Sequence, residues 1–178
     1  MFEVLKPFEA WLQDVFKGFP HLPANARKSL AGFYPWLALI AGVVQGLAAI
    51  SLWNLGHSVN RYADYINSLS NSLGVPSSVP SLGLFYWLAL LFLVVEAAIL
   101  LMAYQPLKAK KAEGWNWLFL AAAINLGYGV ASVFVDTYYG GGAGSLVSTL
   151  IGSVIAFWLL FEVRSYYKGS PVPAEPAA

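Results

Sequence analysis

Residues 82–104, LGLFYWLALLFLVVEAAILLMAY, decide the fold, because in these 23 residues the only charge is Glu96. As an α-helix they extend roughly 34 Å at about 1.5 Å per residue. That matches the hydrocarbon layer of a bilayer, about 30 Å thick. Three further stretches, 34–55, 115–135 and 143–161, are of similar length and carry no charge at all. The composition agrees: 58% of the 178 residues are hydrophobic and 11% charged, against about 25% charged in ordinary globular domains. One soluble core of this size has no room for so much apolar surface, so the surplus is expected to face lipid.

The expected fold class is therefore all-α and integral to a membrane. It is a four-transmembrane-helix bundle (spans about 34–55, 82–104, 115–135 and 143–161) within a domain over residues 24–168. Trp36, Trp53, Trp87, Tyr104, Trp115, Trp117, Tyr138, Tyr139, Trp158, Tyr166 and Tyr167 cluster near the span ends, as aromatic interfacial belts do. Basic residues set the orientation. Lys6, Lys17, Arg27 and Lys28 precede the first span, Lys108, Lys110 and Lys111 form a basic loop between the second and third, and Arg164 and Lys168 follow the fourth. The opposite loops hold only Arg61. The positive-inside rule then gives an N-in/C-in topology with Lys108, Lys110 and Lys111 in the cytoplasm. Short loops, no cysteine and the Lys-rich loop fit a prokaryotic inner membrane.

Two segments outside the spans have helical periodicity. In residues 1–23, Leu5, Phe8, Trp11, Leu12, Val15, Phe16 and Phe19 share a face opposite Lys6, Glu9, Gln13, Asp14 and Lys17. This predicts an N-terminal interfacial amphipathic helix with its aromatic face in lipid, closed by a Pro-rich linker. The charges interrupt the apolar run, so it does not read as a cleavable signal peptide. In the first outer loop Val59, Tyr62, Ile66, Leu69 and Leu73 form a stripe, predicting a short outer-surface helix. Residues 136–142 read as a glycine-rich tight turn, and 169–178, rich in Pro and Ala, as a disordered cytoplasmic tail.

Within the spans, small residues recur every fourth position: Ala38, Gly42 and Gly46; Ala123, Gly127 and Ala131; Ser148, Gly152 and Ala156. Such rows, of which the first holds a GxxxG, let helix backbones approach. Spans one, three and four are therefore expected in tight mutual contact. The second span instead carries Glu96, and no span offers Lys or Arg to pair with it. An ionised carboxylate at that depth costs on the order of 3 kcal/mol or more, so the protonated acid is the expected state. Gln45, Asn125 and Ser153 lie at similar depth in the other spans. These four form a midplane polar cluster that acts either as hydrogen-bonding glue or as a relay. The stretch 36–45, WLALIAGVVQ, aligns without gaps with 87–96, WLALLFLVVE, so Gln45 corresponds to Glu96 in a weak internal repeat of two oppositely directed helices.

Catalytic signatures are absent. There is no phosphate loop, no HExxH and no nucleophile elbow, and the absence of cysteine removes thiolate chemistry. No catalytic residue, metal or cofactor is assigned, and near-zero net charge offers no field for nucleic acid. The expected function is non-enzymatic: a structural or partner-binding role in scaffolding or assembly. The expected partners are the lipid bilayer and a second copy or another membrane protein. The alternative is a small transporter or proton-coupled carrier using Glu96 with Gln45 and Asn125.

Overall fold

The computed structural model describes residues 2–75, 78–138 and 143–169, with the side chains of 2, 133–138 and 143–146 left aside. The expectations for 139–142, including Tyr139, and for the tail 170–178 lie outside the described residues. All regular structure among the described residues is helical. After a short 3₁₀ turn at Phe2–Leu5 come α1 (Lys6–Phe16), α2 (Ala24–Ser72), α3 (Leu84–Lys108), α4 (Ala112–Tyr138), α5 (Ala143–Glu162) and α6 (Arg164–Lys168). Among the described residues, two helices, α2 and α3, are long and apolar enough to cross a membrane. Large apolar side chains such as Ile40, Val44, Leu47, Ile50 and Leu91 stand exposed along them.

The helices pack in chain order: α2 on α3, α3 on α4 and α4 on α5. Spans three and four do meet, as α4 and α5, whereas the expected contact of span one with them is corrected, since α2 packs on α3 instead. Gly42 explains the first contact. A Cβ there would lie 2.9 Å from Leu101 Cγ and 3.2 Å from the Ala97 carbonyl, so only a missing side chain admits α3. Gly46 has no atom within 4 Å of its would-be Cβ. It faces an apolar groove with Ala49, Trp53, Leu90 and Ala97. Replacing Gly42 by Leu is expected to destabilise the detergent-solubilised protein by about 1–3 kcal/mol through overpacking. Gly46→Leu should leave its thermal midpoint unchanged. Equal losses from both would contradict this packing.

The helix expected on the outer surface is instead the continuation of α2. That helix runs unbroken for 49 residues, roughly 73 Å at about 1.5 Å per residue. Nothing between Leu55 and Val59 breaks it. Gly56 is helical, lying against the rings of Tyr86 and Trp87 where a Cβ would come within 2.7 Å of Tyr86, and Ser58 hydrogen-bonds back to the Asn54 carbonyl at 2.9 Å. The returning chain is tied to this extension. Asn67 accepts from Val79 N–H at 2.7 Å and donates to its carbonyl at 3.0 Å, and Asn60 accepts from Leu82 N–H at 2.7 Å.

The N-terminal helix is a second correction. Rather than turning its whole aromatic face to lipid, α1 buries Leu12 and Phe16 in the main core. Phe8 sits 5.8 Å from the rings of both Phe119 on α4 and Phe157 on α5. Trp11 and Val15 stay exposed. The helix end of α3 closes with a Schellman arrangement: Lys110 N–H bonds to the Leu107 carbonyl at 3.0 Å and Lys111 N–H to that of Pro106 at 2.9 Å. Lys110 takes the left-handed φ of 53° this requires.

Candidate functional site: a cleft at Glu96

Glu96 is the thirteenth of the 25 residues of α3, and its carboxylate meets α4. The Asn125 side-chain amide donates to its two oxygens at 3.2 and 3.4 Å. On one side of this pair is a cleft of about 780 Å³ between α3, α4 and α5, with Tyr34 of α2 on its wall. Its walls combine Glu96 and Asn125 with the hydroxyl-bearing Tyr34, Tyr128, Ser132, Ser148, Thr149 and Ser153. On the other side is a cavity of about 250 Å³ lined by Gln45, Tyr86, Glu96, Asn125 and Tyr128. Glu96 and Asn125 therefore form a partition between two spaces, one facing α5 and the other facing α2.

Of the expected polar cluster, Glu96 and Asn125 are in direct contact. Gln45 reaches the smaller cavity, where its Oε1 is buried without a hydrogen-bond partner. Ser153 lies on the wall of the larger one. A purely structural cluster closes its donors and acceptors on one another. Here space and an unused acceptor remain beside a carboxylate, so the arrangement can take a small group that donates hydrogen bonds or carries positive charge. The aligned positions Gln45 and Glu96 line the same cavity.

The small-residue rows serve different surfaces. Ala38 and Gly42 are buried against α3. Ser148, Gly152 and Ala156 line the cleft. Ala123 borders the main core, Ala131 is exposed, and Gly127, like Gly152, has nothing within 4 Å of a would-be Cβ. The glycine that admits α5 to α4 is Gly129, against Thr149. The sequence row does not contain it.

The basic end of the molecule holds a polar network. Glu9 on α1 receives Arg164 at 2.8 Å and Lys168 at 2.8 Å. Lys168 also lies 4.1 Å above the ring of Trp115, whose indole N–H donates to the Leu160 carbonyl at 2.9 Å. Trp115 is fully buried, so it is a core residue rather than part of an interfacial belt. Lys110 donates to the Ala31 carbonyl and stands 4.9 Å from the Tyr167 ring. Burial lowers the pKa of Lys110. Burial also lowers that of Lys168, against the raising effect of Glu9, and pushes the Tyr167 hydroxyl up to about 12. Tyr167 thus stays a neutral donor, bonding to the Ala31 carbonyl at 2.7 Å. Lys108 rests 5.9 Å from the Tyr104 ring, and Lys111 is exposed.

No protein-family model, no curated protein and no solved structure matches the chain.

Proposed function

We propose that this chain is a small membrane carrier or ligand-binding protein of four spans, and that its cleft takes a proton or a small cationic, hydrogen-bond-donating ligand on Glu96. The observation that carries the reading is the Glu96–Asn125 partition, whose carboxylate opens on both cavities. Asn125 orients the carboxylate, Gln45 offers a free acceptor on one side, and the hydroxyls of Ser148, Thr149 and Ser153 offer partners on the other. No enzymatic role is proposed.

The four-span reading adds α4 and α5 to the two long apolar helices. It is supported by the charge-free runs 115–135 and 143–161 and by the apolar side chains exposed on α5, such as Val147, Ile151 and Ile155. The distribution of Lys and Arg supports a cytoplasmic position for α1, the 109–111 turn and α6. The proposed location is a prokaryotic inner membrane.

A second reading, scaffolding or assembly, has its own support in Gly127 and Gly152. Neither meets an atom within 4 Å, which leaves room for a helix of a second copy or another membrane protein.

Flux in proteoliposomes tests the carrier reading. With a trapped pH dye and an imposed potassium diffusion potential, wild type should move protons well above protein-free vesicles. Glu96→Gln should keep the helical circular dichroism spectrum and fall to background, because an amide does not exchange a proton near neutral pH. Equal flux in the two proteins would sink the carrier reading. Background flux in both would put the assembly reading first.

A further inference from the structure

At the basic end, away from Glu96, a cavity of about 270 Å³ is lined by Lys17, His21, Arg27, Trp158, Glu162 and Arg164 among others. Arg27 sets its chemistry. The residue is 9% exposed, and among the described residues the only polar contact of its side chain is an ion pair of 3.9 Å from Nε to Glu162 Oε2, too long for a hydrogen bond. Its Nε is buried with no partner. A desolvated N–H donor left unmade is rare in folded proteins, because it costs stability.

Glu162 stands too far from Arg27 Nε to supply the missing bond. Its Oε1 is held by His21 Nδ1 at 2.7 Å and its Oε2 by Leu22 N–H at 2.9 Å. Arg164 is committed to Glu9, by Nε at 3.0 Å and Nη2 at 2.8 Å. Lys17, just past the end of α1, pairs with Asp14, and both side chains are mostly exposed. The wall therefore combines the buried Arg27, the paired Arg164 and the rim cation Lys17 with one carboxylate, each of whose oxygens accepts a hydrogen bond. Beside them lie Phe16, Trp158 and Phe161, an apolar side suited to the first carbons of an esterified chain.

We propose that this cavity binds a phosphate group, with Arg27 as the buried fork and Lys17 as the outer cation. Phosphate oxygens match the planar donors of a guanidinium, and charge-assisted hydrogen bonds would satisfy Arg27. The same chemistry is presented by an anionic phospholipid headgroup and by free phosphate, and the experiment separates them. Full-length protein is placed in nanodiscs of phosphatidylcholine alone, or with one part in five phosphatidylglycerol, and retained lipid is read by native mass spectrometry. Inorganic phosphate is titrated against the phosphatidylcholine sample by thermal shift.

Selective retention of phosphatidylglycerol, reduced about tenfold by Arg27→Gln, assigns the site to a lipid headgroup. A phosphate-dependent rise in melting temperature in phosphatidylcholine, lost in Arg27→Gln, assigns it to a soluble phosphate. If Arg27→Gln fails to fold, Lys17→Gln on the exposed rim should weaken whichever binding is seen by several-fold and blunt its salt dependence. Binding of neither probe by wild type, or binding indifferent to the Arg27 and Lys17 changes, overturns the proposal.

Discussion

Glu162→Ala will destabilise the protein by about 3–5 kcal/mol, the range measured when one partner of a buried ion pair is removed. Glu162 is 7% exposed and ties three elements together. It holds His21 and the Leu22 N–H in the linker after α1, and it faces Arg27 on α2. Its loss leaves the Arg27 guanidinium buried with no counter-charge and releases the linker that positions α1. Glu162→Gln retains an acceptor for Leu22 and should lose less. Unfolding in mixed micelles at neutral pH measures both. A loss below about 1 kcal/mol, the level of a surface pair, would show that the network is solvated and contributes little.

Gly114→Val is the other large effect. A Cβ at Gly114 would lie 2.5 Å from Leu107 N and 2.8 Å from the Pro106 carbonyl carbon. Both are backbone atoms of the last turn of α3, held by the Schellman bonds of Lys110 and Lys111, so no side-chain rotation relieves the clash. The α3–α4 corner must open, at a cost of about 3 kcal/mol, the upper end of measured overpacking. Because Lys110 reaches from this corner to Ala31 and Tyr167, the strain should spread to α2 and α6. Hydrogen exchange of the 109–114 amides is expected to accelerate with those of α6, while α5 near Gly152 remains as in wild type. Unchanged stability in Gly114→Val would mean that α3 and α4 do not meet as closely as described.

The positions of these two residues show why the sequence was legible in some places and silent in others. Residues 34–55 and 82–104 announce long apolar helices because length and the absence of charge are local properties. The stripe from Val59 to Leu73 announces a helix, but periodicity does not say whether that helix is separate; only a breaker would, and Leu55 to Val59 has none. Small-residue spacing identifies a narrow face without naming what covers it. Gly42 meets Leu101, whereas Gly46, one turn on, looks into a groove. Gly129 and Gly114, which do admit a neighbour, stand outside the repeating pattern.

Charge was uninformative about pairing. Glu9 meets Arg164 and Lys168 across more than 150 residues, and Glu162 meets His21 across 141. No local pattern connects such partners. The aromatic face of α1 read as lipid-facing because the sequence alone cannot show that Phe119 and Phe157 leave a seat for Phe8. At the site, Glu96, Asn125, Gln45 and Ser153 were all visible as polar groups in apolar runs. Their division into one bonded pair and two separate cavity walls was not, because it depends on α3 lying between α2 and α4.

On the carrier reading, water and small polar ligands reach Glu96 through the cleft, and a single cysteine tests this most directly. The chain has no cysteine of its own, so Ser153→Cys on the cleft wall and Ile151→Cys on the exposed apolar face of α5 can each be labelled in reconstituted vesicles. A small charged thiol reagent needs a hydrated thiolate. Ser153→Cys should react at least about tenfold faster than Ile151→Cys, and Glu96→Gln in the same chain should slow a cationic reagent more than an anionic one. Equal, negligible reaction at both positions would make the cleft dry and contradict the account.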